Sequence, residues 1–75
     1  MNAQYTLGLM YNNGAGVPQN YVMSYVWLSV ATAQGKEDAK EFRDSVSELW
    51  LTPDQLARGQ EIATKCFESG YQDCK

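Results

Sequence analysis

The segment from Tyr21 to Gln34, YVMSYVWLSVATAQ, is apolar on two separate sides when wound as a helix. Tyr21, Ser24, Trp27, Leu28 and Ala31 fall on one face. Val22, Val26 and Val30, at i, i+4 and i+8, make a second stripe. A helix lying on a protein surface needs one apolar stripe, whereas a helix with neighbours on more than one side needs two. The first helical pattern carries a weaker version of the same signal. Ala3, Leu7, Met10 and Tyr11 share a face, with Tyr5 and Leu9 opposite. Two arrangements satisfy this demand: helical hairpins stacked on one another, or one four-helix core that uses every apolar residue.

The punctuation between the patterns sets the number of helices. Gly8 weakens the first helix by about 0.5–1 kcal/mol against Ala, a cost offset if a neighbouring helix approaches closely there. NNGAGVPQ then ends that helix, with Gly14 and Gly16 free to take positive φ and Pro18 fixing the backbone. Asn20 is placed to cap the second helix, and Gly35 to stop it. Lys36 to Leu49 predicts a third helix with Ala39, Phe42, Val46 and Leu49 inward. Glu37, Asp38 and Glu41 then sit where they favour the dipole of its first turn. In LTPDQL, Thr52 is an N-cap, Pro53 occupies N1 and Gln55 completes a capping box. Leu51 and Leu56 form a hydrophobic staple across that start. The fourth helix carries Leu56, Ala63 and Phe67 inward and ends near Gly70. No strand pattern competes. The expected fold is all-α, four helices in two antiparallel hairpins.

Residues 3–35 resemble the SEL-one-like repeat, a tetratricopeptide-like unit. The resemblance rests on Ala3, Leu7, Gly8, Tyr11, Gly14, Gly16, Val17, Tyr21, Trp27, Ala31 and Gly35 at the family's spacing. The GAGV loop between the helices separates this family from ordinary tetratricopeptide repeats. Asn20 stands where the family usually has an acidic residue, and Leu28 where it has an aromatic one. Residues 36–75 fit less well: laying Ala39 over Ala3 puts Arg43 on Leu7, Asp44 on Gly8 and Trp50 on Gly14. They resemble instead the segment that closes such arrays, whose outer face must be polar. The resemblance thus implies a single α-solenoid module over 1–75, one repeat plus a C-terminal capping hairpin and tail, of α-α superhelix type. Repeat arrays generally need about three units for stability, so a piece of a longer array, or a minimal unit held by its cap, is expected.

Two cysteines, Cys66 and Cys74, are too few for a zinc site in a chain with no histidine. On spacing alone they are either a disulfide or two unrelated thiols. The resemblance favours the disulfide, because secreted members of the family end in a tail matched here by Cys66, Tyr71 and Cys74. That bond would imply a bacterial periplasm or an extracellular setting, and free thiols the cytoplasm.

Functional classes narrow by exclusion. The net charge of −3 with scattered Lys and Arg offers no footprint for nucleic acid or anionic lipid. No apolar run approaches the roughly 20 residues that span a bilayer, and no signal-peptide pattern opens the chain. Without histidine, GxSxG, or a serine three residues before lysine, no nucleophile has a base to activate it. GAG matches no phosphate-cradling motif. Some cysteine-rich relatives are classed as β-lactamases, but this chain lacks residues for that chemistry. A non-enzymatic module without cofactor or metal is therefore expected. Its partner is a protein or peptide, bound along the first helix by Asn2, Tyr5, Thr6, Leu9, Asn12 and Asn13, with the amides pairing to backbone and Tyr5 as anchor. The competing expectations are that Tyr5 and Leu9 pack on a preceding repeat, that helices one and two self-associate, or that the module is a structural cap without a ligand.

Overall fold

A computed structural model of the chain describes residues 3–70 and Gln72. Four helices follow in order: α1 Ala3–Asn13, α2 Tyr21–Ala33, α3 Glu37–Leu49 and α4 Pro53–Glu68, with no strand among the described residues. Each boundary has a local cause. Asn20 Oδ1 accepts the Met23 amide at 3.1 Å and starts α2. At its other end Gly35 takes φ 96°. The Lys36 and Gly35 amides return to the Ala31 and Thr32 carbonyls at 3.1 and 3.0 Å, a Schellman closure. Between α1 and α2, Gly14 and Gly16 both have positive φ, and the Asn20 amide ties the loop back to the Tyr11 carbonyl at 2.9 Å.

The capping box at α4 is formed as expected. The Gln55 amide donates to Thr52 Oγ1 at 3.2 Å, and the Thr52 amide to Gln55 Oε1 at 3.0 Å. Thr52→Ala is expected to cost about 0.5–2 kcal/mol in urea unfolding. It should also speed hydrogen exchange at the amides of Asp54 and Gln55; unchanged exchange there would mean the cap contributes nothing.

The arrangement is centred on α2. The other three helices each pack against it, and α3 and α4 lie on α2 rather than closely along one another. Ser24, Tyr25, Val26, Leu28, Ser29, Val30 and Ala31 are all buried, so α2 is covered nearly all round. The main cluster joins Tyr25, Leu28 and Ala31 to Ala39 and Val46 of α3. Tyr5, Tyr21, Phe42, Leu51 and Leu56 close its edges. A second cluster joins Val30 to Cys66 of α4, with Trp27 beside them.

Two small residues let helices approach α2. A Cβ built on Gly8 would lie 2.8 Å from Cγ and Cδ2 of Leu28, so α1 sits against α2 where only glycine fits. The Ser24 hydroxyl, fully buried, donates to the Gly8 carbonyl at 2.8 Å and fixes that register. On α4 the equivalent position is Gly59, whose Cβ would meet Tyr25 Cδ1 at 2.9 Å.

The structure corrects several side-chain expectations. Leu49 is 70% exposed rather than inward, because α2 begins at Tyr21 and Trp50 covers that end, its ring stacked on Tyr21 at 5.4 Å. Phe67 is 40% exposed. The inward positions of α4 are Gly59, Ala63 and Cys66, with Leu56 at the cluster edge. Ala3 is exposed. Trp27, packed beside the second cluster, is half-buried, and its Nε1 has no hydrogen-bond partner among the described residues.

Candidate interaction surfaces

On α1, Gly8 and Asn12 are one helical turn apart and mark the side turned to α2. Asn12 is therefore buried, at 8% exposure, and does not offer its side chain to a ligand as the sequence reading expected. Its carbonyl accepts from Gln19 Nε2 at 2.8 Å, while its Nδ2 has no partner among the described residues. An unmade hydrogen bond of this kind costs about 1–3 kcal/mol. Thr6, Leu9 and Asn13 fall on the flank away from Gly8, the first two half-buried and Asn13 exposed. Tyr5 turns toward the main cluster, with Lys36 Nζ 5.2 Å above its ring. Asn2 lies outside the described residues. Of the six residues expected to form one binding face, Thr6, Leu9 and Asn13 share a flank and Tyr5 lies at its edge.

A second surface was not legible in the sequence. Because α3 and α4 separate over α2, an open groove of about 320 Å³ runs between them. Tyr25, Ser29 and Ala33 of α2 contribute its floor, with Ala63 and Phe67 from α4. Arg43 comes from α3, and Gln60 and Thr64 from α4. The serine and threonine hydroxyl protons in this groove are spent on their own helices. Ser29 donates to the Tyr25 carbonyl at 2.8 Å, Thr32 to Leu28 at 2.8 Å, and Thr64 to Gln60 at 2.9 Å. Arg43 reaches only its neighbour Asp44, through Nε at 3.4 Å and Nη2 at 3.3 Å to one oxygen. A second hollow of about 360 Å³ lies at the α1–α2 loop, between Tyr11, Pro18 and Met23.

Cys66 is fully buried against Val30. Its expected partner Cys74, and Tyr71 of the same tail, lie outside the described residues. Among the described residues no group of three His, Cys, Asp or Glu side chains is placed to hold a metal ion. No described helix is long and apolar enough to cross a membrane. Comparison with models of known protein families, with curated proteins and with solved structures finds no match to this chain.

Proposed function

We propose that this chain is a non-enzymatic protein–protein interaction module: one SEL-one-like repeat over residues 3–35 followed by a capping hairpin and tail over 36–75. The repeat reading is supported by Gly8 standing where α1 meets α2 most closely and by the positive φ of Gly14, Gly16 and Gly35. The observation that carries the binding reading is the one-sided covering of α1. Its Gly8 and Asn12 side is packed on α2, while Leu9 and Asn13 remain on the flank beyond it. An aliphatic side chain beside an amide suits a peptide that buries one side chain and pairs its backbone.

The test is to select peptides on the folded chain by display and to map the bound peptide by amide NMR. The reading expects shifts at Leu9 and Asn13, and loss of binding in Leu9→Arg. Peptides mapping elsewhere would contradict the α1 site. A second reading, a cap of a longer solenoid with no ligand of its own, is favoured by the half-buried Val22, Met23 and Trp27 of α2. It predicts a dimer through α1 and α2 when the chain is alone. The compartment follows the cysteines: a Cys66–Cys74 bond fits a periplasmic or secreted protein, and two alkylatable thiols in protein from its natural source would remove that assignment.

A further inference from the structure

We infer that the groove between α3 and α4 binds an acidic peptide segment of a partner protein. An apolar side chain of the segment would lie on the floor, with a carboxylate held between Arg43 and Gln60. This deepens the interaction-module reading and rests on it, but it uses a different surface from the α1 flank. The argument is one of unspent donors. Every serine and threonine hydroxyl lining the groove gives its proton to a carbonyl of its own helix, so these groups have only acceptor capacity left. Besides the phenol of Tyr25 at the floor, the groups with donors to spare are a cation and an amide. Arg43 has five N–H donors, of which Nε and one on Nη2 go to Asp44 Oδ1 at 3.4 and 3.3 Å, near the long limit for such bonds. Its Nη1 has no acceptor among the described residues. Gln60 is exposed on the opposite wall, and its side-chain amide has no protein partner among the described residues.

Arg43 is also the only charged residue lining the groove, and its side chain is only 25% exposed. Its ion pair with Asp44, a side chain 55% exposed, answers part of that charge through contacts of 3.3 and 3.4 Å; the preference for an anion rests on the guanidinium N–H groups this pair leaves over. The floor supplies the rest: Tyr25 and Ala63 are nearly fully buried, and Phe67 is 40% exposed. A single cation is too little for a nucleic-acid backbone, whose binding needs several phosphates neutralised. One carboxylate close to one apolar side chain matches what is there.

The experiment uses the full chain and two acetylated, amidated probes, Asp-Phe-Leu-Glu and its uncharged counterpart Asn-Phe-Leu-Gln, titrated by amide NMR. The acidic probe is expected to shift Ala63, Thr64 and Arg43 and to bind about fivefold more tightly than the uncharged one, as one partly exposed ion pair allows. Gln60→Glu changes an exposed residue and so leaves the fold intact; it should abolish the preference, as should Arg43→Gln. Equal affinity of the two probes at the groove would overturn the assignment of the carboxylate and leave the interaction module standing. Shifts confined to α1 would overturn the groove altogether while supporting the α1 site. No response at either surface, in protein shown to be folded by its dispersed spectrum, would count against both.

Discussion

Leu28→Ala is expected to lose about 2–5 kcal/mol of stability, the range for deleting a fully buried leucine side chain. Leu28 has no exposed surface, and it meets both α1 and the main cluster. The site has little freedom to collapse, because the turn of α1 facing it is already at glycine distance. The upper half of the range is therefore expected. A chain of this length has roughly 4–11 kcal/mol in all, so the variant should be near half-unfolded or worse at the lower end of that range. Urea unfolding monitored by circular dichroism reads this directly. A midpoint shift worth less than about 1 kcal/mol, far below the cost of a core cavity, would show that Leu28 is not enclosed as described.

Gly8→Val approaches the same contact from the other side, and about 3 kcal/mol of destabilisation is expected. Two terms oppose each other. Removing a mid-helix glycine returns up to about 1 kcal/mol of helix propensity, less for a β-branched residue. Against this, the first added carbon would lie 2.8 Å from two carbons of Leu28 and 3.4 Å from its backbone nitrogen. Leu28 cannot swing away, being buried on every side, so α1 must lift. Lifting α1 stretches the 2.8 Å bond from Ser24 to the Gly8 carbonyl and leaves a buried hydroxyl without its acceptor. Overpacking of about 1–3 kcal/mol and the lost hydrogen bond together outweigh the propensity gain. If unfolding showed Gly8→Val to be neutral or stabilising, α1 and α2 would have to be farther apart than the structure places them.

Much of this was legible in the residues, for physical reasons that also mark the limits. The four helices were readable because caps and glycines act locally. Thr52 with Gln55, Asn20 with Met23 and Gly35 at positive φ each satisfy backbone groups within a few residues. The central role of α2 was readable from its double stripe, since burial on all sides needs apolar or small residues on all sides. The inward face of α4 was readable only in part, at Ala63 and Leu56. Gly59 and Cys66 carry little hydrophobic signal, and their importance comes from the closeness they permit to Tyr25 and Val30. Extrapolating the 3.6-residue period also overran its support at Leu49 and Phe67, because periodicity does not report where the neighbouring helix ends.

The binding surfaces show the same division. The α1 face was set out from sequence by choosing residues off the main apolar stripe. That choice included Asn12, which follows Gly8 by one turn and is buried with it. The groove depends on α3 and α4 separating over α2, a tertiary fact that no spacing in residues 36–70 encodes. No motif or period links Arg43 to Gln60 in the sequence; the fold places both along one groove.

The central claim is that α2 is the enclosed core element on which three other helices are carried. Native-state hydrogen exchange measured residue by residue tests it most directly, because exchange free energies rank segments by how much structure must open to expose them. The account predicts that the amides from Tyr25 to Ala31 exchange only on global unfolding and share one free energy, with α1, α3 and α4 releasing at lower values toward their ends. If α2 exchanged as readily as α3 or α4, or opened while they stayed protected, the central placement of α2 would be contradicted.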